Sequence, residues 1–463
     1  MPTRQSGVRS LRSARVQQGK ELRQQVPRSA HSKWTVLATG RDPVAIPSET
    51  DRGRIPTLVP IRYTRMLQSP FAFLRGSAAV MAFDLAQGPT TGTRVQACGD
   101  CHLLNFGAFA TPERHVIFDI NDFDETLPAP WEWDIKRLAA SIMVAGRHRG
   151  FAERDCSEAV LKAVRAYREN LAEYATWPEL QVWYARIDAE QLVARASSAK
   201  PSRPGADGGA RTAANVSARL LPKLTEVIGG KRRIKDEPPL VYHPAREKAL
   251  FQHVQAAIHR YRRSLPAERR ALIDRYEVID VAMKVVGVGS VGTFCAVSLL
   301  QADVDDPLFL QLKQARPSVL EPYAGKSDYR NQGERVVVGQ RLMQSVSDMF
   351  LGWSRMGQPP VDFYFRQLRD TKASIDLDTL SLARFINYAH YCGWAVARAH
   401  AKAGNGAVIS GYLGSGDAFD EALRRFARAY ADQTEKDHAA LVKAAKSGRI
   451  RTETKDDGRR QAA

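Results

Sequence analysis

No stretch of the chain reaches the roughly 18–20 consecutive apolar residues that a membrane span requires. The basic N-terminus has no apolar segment behind it, so a secretory signal is not expected either. Cysteine is scarce: five in 463 residues (Cys98, Cys101, Cys156, Cys295, Cys392), an odd number. A disulfide framework is therefore not expected, and a reducing, cytoplasmic setting fits. No internal repeat is visible. Acids are the minority charge, 50 Asp and Glu against 68 Lys and Arg, a formal charge of +18. That excess favours anionic partners such as nucleotides, phosphorylated metabolites, nucleic acid or a membrane surface. Part of it lies in the two ends of the chain, where it says little about a central site.

The chain is too long for one ordinary core, so more than one domain is expected. Residues 1–50 open with eight basic residues and one acid (Glu21) before position 35, and read as a basic mobile arm, either a solvated tail or a segment that touches nucleic acid or acidic lipid. Residues 51–196 alternate helical spacing (71–85, 134–145, 153–174, 179–196) with short strands. Residues 197–240 are rich in Pro, Gly, Ser and basic residues and read as a flexible linker or insertion. From 241 to 370 a helix at 244–264 gives way to period-two strands at 276–286, 293–300, 308–314, 348–353 and 362–368, with a helix at 331–344 among them. Residues 371–445 return to helix, at 380–403 and 418–445, and 446–463 form a charged tail. The class is α+β.

Two blocks carry chemistry. The first is the stretch from Arg94 to Asp134, where two short apolar runs each end in a polar cluster: Gly99, Asp100, Cys101, His102 and Asn105, then Asn121, Asp122, Phe123, Asp124 and Glu125. Strand ends that deliver acids twice within a few dozen residues suit metal-bound phosphate. Phosphoryl transfer needs a carboxylate for the nucleophile's proton, an Asn and an Asp for magnesium, and a cation on the phosphates. The same letters spell Cys-x-x-Cys-His, the haem-attachment pattern, but attachment follows export, for which no signal is present. Zinc on Cys98, Cys101 and His102 lacks a fourth ligand nearby.

The second block is a strand, the turn Gly287-Val288-Gly289-Ser290-Val291-Gly292, a strand, and a strand ending at Lys313. Glycines let backbone amides approach phosphates without a Cβ in the way. In that reading Lys313 contacts the phosphates and Glu334, on the next helix, pairs with it. Two others stay open: a dinucleotide turn, which needs a helix straight after Gly292, and a hairpin with no ligand.

Asp100 and Asn105 share the Asp-x-x-x-x-Asn spacing of kinase catalytic loops. The segment GDCHLLN resembles the HGDxxxxN loop of aminoglycoside phosphotransferases and choline-kinase-like enzymes, with Cys98 where His is usual. NDFDET resembles their magnesium-binding strand end, and Asp134 resembles their buried helix-start Asp. From about 50 to 440 the chain also resembles the bacterial domain of unknown function 2252, through RMLQSPFAFLRG, CGDCHLLNFG, FDINDFDET, WEWDIKRLA, KVVGVGSVGT and LKQARPSVLEPY. That family brings no established activity, so the kinase-like motifs carry the functional expectation.

The resemblance implies a protein-kinase-like, two-lobed fold in permuted order, because the glycine turn and Lys313 follow the catalytic loop by roughly two hundred positions. Residues 51–196 and 371–445 form a helix-rich large lobe; 241–370 form a small antiparallel-sheet nucleotide lobe. Permutation is tolerated where the joined ends lie close at the surface. The implied cofactors are ATP and Mg2+ and the implied reaction is phosphate transfer to a hydroxyl, more readily on a small molecule than on a protein; transfer of AMP uses similar parts. Asp100 is the implied base, with His102 orienting it or the acceptor. Asn105, Asp122 and Asp124 are the implied metal ligands, with Asp119 an alternate. Gly287, Gly289, Ser290, Gly292, Lys313 and Glu334 hold the nucleotide. Asp134 is expected to support the loop, and Tyr364, Phe365 and Gln367 to lie near the base-binding hinge. Arg62, Arg65 and Arg75 either reach a phosphate or pair with the acids downstream.

Overall fold

A computed structural model describes residues 5–34, 40–188, 221–285, 287–357, 359–368 and 375–453. The fold is α+β. Among the described residues no helix is long and apolar enough to cross a membrane.

The chain begins with α1 (Gln5–Gln25), which lies on a helix near the other end of the sequence, Gly406–Leu413. The approach is close: a Cβ on Gly19 would meet the Val408 carbonyl at 2.0 Å. The expected mobile arm is instead docked. Its apolar positions were too sparse to show this because the contact is made by glycine and by Arg23 and Arg28, which donate to the carbonyls of Tyr412 and Leu413. Arg41 then clamps Asp84 and Asp437 in a buried ion pair.

Short helices follow: α2 (Ala45–Glu49), α3 (Val59–Met66), α4 (Pro70–Gly76) and α5 (Ala78–Leu85). One helix was expected over 71–85. It breaks at Ser77, whose hydroxyl bonds back to the Phe73 and Leu74 carbonyls, a local bond that competes with helix continuation. Strands β1 (Arg94–Ala97) and β4 (Leu127–Pro130) pair, as do β2 (Phe106–Ala110) and β3 (Val116–Ile120), all antiparallel. Helices α6 (Trp131–His148) and α7 (Glu153–Tyr174) follow. The next helix, α8, covers only Glu179–Tyr184. Beyond it Ile187 accepts from the Phe118 amide, so the chain runs as an extension of the β2–β3 edge. The rest of that expected helix, and the expected linker up to 220, lie outside the described residues. The second half of the linker is the hairpin β5 (Thr225–Ile228) and β6 (Lys231–Ile234), held to the sheet by Asp280, which accepts from the Ile234 amide.

The small body is one antiparallel sheet of six strands. Strands β7 (Val241–Tyr242), β8 (Glu277–Lys284), β9 (Cys295–Asp303) and β10 (Asp306–Ala315) run side by side. Then come β12 (Val361–Gln367) and, at the edge, β11 (Gly352–Met356). Helices α9 (Glu247–Tyr261) and α10 (Ala267–Ile273) cover one face, and their core is separate from that of the large body. The strand expected at 348–353 starts later because Asp348 caps a turn, accepting from the Phe350 amide, and also accepts from Gln367. After β10 come α11 (Glu321–Ala324) and α12 (Gln332–Met343). The chain then returns to the large body as α13 (Leu382–Ala403), α14 (Gly406–Leu413) and α15 (Ala418–Lys446). The principal core joins α6, α7, α13 and α15. Of the expected charged tail, the start is tied down: Ile450 is buried and the Glu453 amide donates to Thr64.

Candidate functional site

The loop after β1 is shaped by one glycine and one carboxylate. Gly99 has φ +84°, and a Cβ there would lie 2.3 Å from the Glu125 carbonyl, so the loops 98–105 and 121–126 touch backbone to backbone. Asp134, in the first turn of α6, accepts from the amides of Cys98 (2.6 Å) and Gly99 (3.0 Å). His400 Nε2 lies 3.2 Å from the same carboxylate, and its Nδ1 lies 2.9 Å from the Tyr167 hydroxyl. Asp134 therefore supports the loop and does not face a ligand.

Asp100 Oδ1 accepts from Arg137 Nε at 2.6 Å, and Arg137 also donates to the Leu74 carbonyl. Asp100 Oδ2 is 3.9 Å from His102 Nε2. Burial lowers the His102 pKa to about 3, so the ring is neutral. Its Nδ1 accepts from the Leu104 amide, which leaves the ring proton on Nε2, toward Asp100. Asn105 donates from Nδ2 to the Asp100 carbonyl at 2.7 Å, and its Oδ1 stays an acceptor.

The second cluster separates by register. Asp119 points into the core, where Arg398 donates to it at 2.7 Å and Ser345 donates from amide and hydroxyl. It is fully buried and so is not an alternate metal ligand. Asp122 and Asp124 line a cavity of about 370 Å³ together with Asp100, His102 and Asn105. Asp124 is the junction of the two bodies. It accepts from Lys313 Nζ at 2.5 Å, the Tyr364 hydroxyl at 2.6 Å and the Ser290 hydroxyl at 3.0 Å. Burial pushes its carboxyl up, but Lys313, Tyr364 and Arg366 outweigh that and hold it at about 2. Burial by itself would lower the Lys313 ammonium; Asp122 and Asp124 outweigh burial and carry its pKa well above the ordinary value.

The glycine turn faces the same cavity through Gly287, Gly289 and Ser290. Gly287 and Gly292 hold φ of +67° and +88°, and Ile55 donates to the Gly292 carbonyl at 2.7 Å. After Gly292 the chain enters β9 and not a helix, which removes the local requirement of a dinucleotide turn.

Glu334 does not join this group. Among the described residues no hydrogen bond or ion pair links it to Lys313; the partner of Lys313 is Asp124. Its neighbour Arg335 is the residue of α12 that turns inward, donating to the carbonyls of Thr126, Asp124 and Arg316. Of the residues expected near a hinge, Tyr364 serves Asp124, and Phe365 stacks on Tyr261 inside the small body's core at 4.2 Å. Of the three early arginines, Arg62 is buried on Asp51, Arg65 donates to the Gly287 carbonyl, and Arg75 lines the cavity. Sequence reasoning missed Arg137 and Arg335. Both lie in helical stretches that read as ordinary amphipathic faces, and no local signal marks them.

Among the described residues no group of three or more His, Cys, Asp or Glu is arranged to hold a metal. All five cysteines are free and buried. Asn105, Asp122 and Asp124 line the same cavity, and two carboxylates with an amide oxygen are donor types that suit magnesium, which is held through one or two carboxylates plus substrate phosphates and not by an all-protein cage. No curated protein and no solved structure matches the chain. A family model described as an uncharacterized protein conserved in bacteria (DUF2252) matches residues 54–444. The chain belongs to that family, domain of unknown function 2252.

Proposed function

We propose that the protein is a kinase-like phosphotransferase with its lobes in permuted order, moving the γ-phosphoryl group of ATP to a hydroxyl of a small-molecule acceptor. The observation that supports it most is the contact of Lys313 with Asp124 across the cleft. It brings together two sequence blocks separated by roughly two hundred positions, a lysine and an acid of the kinds that phosphoryl transfer uses on phosphate and metal. The order along β8–β12, with a glycine turn, a lysine strand, a helix and two more strands, supports the nucleotide role of the small body.

In this reading the turn at 287–290, which lines the cavity, faces the phosphates and Lys313 neutralises them. Magnesium on Asn105, Asp122 and Asp124 would offset the charge that develops on the transferred group. The acceptor oxygen attacks the γ-phosphorus, the bond to the β,γ-bridging oxygen breaks, and ADP leaves. The hydroxyl proton passes to Asp100 Oδ2, because Oδ1 is occupied by Arg137. His102, neutral, stands with Nε2 3.9 Å from Oδ2.

The test is calorimetric titration of ATP with magnesium into wild type, Lys313→Ala and Asp122→Asn. Binding in the micromolar range that is lost in both variants is expected. A folded wild-type protein that binds neither ATP nor GTP rejects the reading.

A further inference from the structure

The cavity's second wall carries arginines, and all but one of them are already used. Arg62 is buried on Asp51 and on the carbonyls of Pro47 and Gly76. Arg54 donates to the carbonyls of Thr50 and Val291, and Arg316 to those of Thr50 and Arg52. Arg137, behind this wall, is committed to Asp100 and Leu74. Arg75 differs. It stands in the last turn of α4, its guanidinium carbon 5.9 Å from the Phe71 ring centre, and it lines the cavity. No hydrogen bond to its guanidinium is made by any described residue, and its Nε is buried without a partner.

A guanidinium carries five N–H donors in a planar fork and cannot discharge by losing its proton. Unpartnered Nε atoms occur on other arginines too, but Arg75 is the cavity arginine whose guanidinium has no hydrogen bond from a described residue, so its fork is open to an acceptor from outside the chain. A phosphate or a carboxylate suits that fork, taking two parallel hydrogen bonds. Placement decides which part of the reaction the anion belongs to. Arg75 lines the cavity with Asp100 and His102, and Arg137 donates both to Asp100 and to the carbonyl of Leu74, the residue before Arg75. Lys313 and Ser290 meet instead at Asp124. The free guanidinium therefore sits at the acceptor end, beside the carboxylate that takes the proton. The other cavity arginines, Arg54, Arg62 and Arg316, have their donors turned to groups of the chain itself, which leaves Arg75 as the cavity arginine open to an anion.

We infer that the acceptor is itself an anion, a hydroxyl compound bearing a phosphate or carboxylate that Arg75 grips while the hydroxyl faces Asp100. This rests on the phosphotransferase reading above and adds the chemical class of its second substrate.

Inorganic phosphate and acetate, titrated separately into the full-length protein and followed by calorimetry, serve as probes. Wild type, Arg75→Gln, Arg75→Lys and Lys313→Met are compared after thermal melting shows that each is folded. The expected result is that one of the two anions binds wild type and loses at least about tenfold in affinity in Arg75→Gln, the loss of one charge-assisted contact. Arg75→Lys, which keeps the cation without the fork, should fall between. Whichever anion responds names the group. Equal binding to wild type and Arg75→Gln, or loss only in Lys313→Met, overturns the inference. ATP titrations on the same samples separate the two claims. ATP binding with no anion response at Arg75 overturns the acceptor class alone. An anion response without ATP binding rejects the transferase reading and keeps the anion subsite.

Discussion

Lys313 and Asp124 tie the two bodies of the molecule together, and the tie has a definite pH range. Asp124 is held at about 2, below its unfolded value near 4, so its contribution is complete above that value and disappears as pH falls from about 4 toward 2. Lys313 is raised, so its contribution is complete below its ordinary value and is lost only as pH rises through the raised one. Removing one partner of a buried pair leaves the other uncompensated. Lys313→Met should therefore lower unfolding stability by about 3 kcal/mol at neutral pH, measured in urea. The difference from wild type should stay flat from about pH 5 to 9 and shrink below about 4; a difference that persists unchanged to about pH 2 would count against the pair. Asp119 makes the complementary point. It shares a strand end with Asp122 and Asp124, yet its carboxylate is spent on Arg398 and Ser345.

At the scale of elements, the catalytic-type loop depends on a backbone contact. Gly99 has both a left-handed φ and the Glu125 carbonyl where a Cβ would go. Gly99→Ala should cost about 2 kcal/mol or more and, under the proposed function, also weaken ATP binding, since it moves Asp100 and Glu125 apart. Equilibrium unfolding and the same calorimetry check both. Helix α12 is capped by Asn331, whose side chain accepts from the Gly333 and Glu334 amides. Asn331→Ala should cost about 1 kcal/mol without removing the Lys313–Asp124 contact, because Arg335 anchors the helix independently. The sequence led to Glu334 by motif spacing, whereas the phase of α12 turns Arg335 inward. One residue along a helix is a rotation of about 100°, enough to exchange the roles of neighbours.

For the whole molecule, the N-terminal segment behaves as part of the large body. His31 lies 2.8 Å from the Tyr412 hydroxyl, and burial lowers its pKa to about 3. The unfolded chain takes up a proton near pH 6.5 that the folded one refuses, so stability is complete above that pH and falls as pH drops toward 3. Wild type should melt at lower temperature at pH 5 than at pH 7, and His31→Gln should flatten that slope. Identical slopes would show that His31 is not buried in solution. Deleting residues 1–34 exposes the face of α14 that packs against Gly19, and should lower Tm for the same reason.

Composition and periodicity by themselves determined the α+β class, the helix at 153–174 to the residue, and β8, β9, β10 and β12 within a few positions. They also marked the two clusters that share the cavity, because strand ends, glycine turns and helix faces are local patterns along the chain. Only the tertiary structure decided which acids face the cleft, that Lys313 meets Asp124, that Arg75 has no hydrogen-bond partner among the described residues while Arg62 has, and that the basic start of the chain is docked. Those outcomes depend on what another segment, often more than a hundred residues away, presents to each side chain. Burial and pairing between distant segments are set by packing, and spacing along the chain does not carry them.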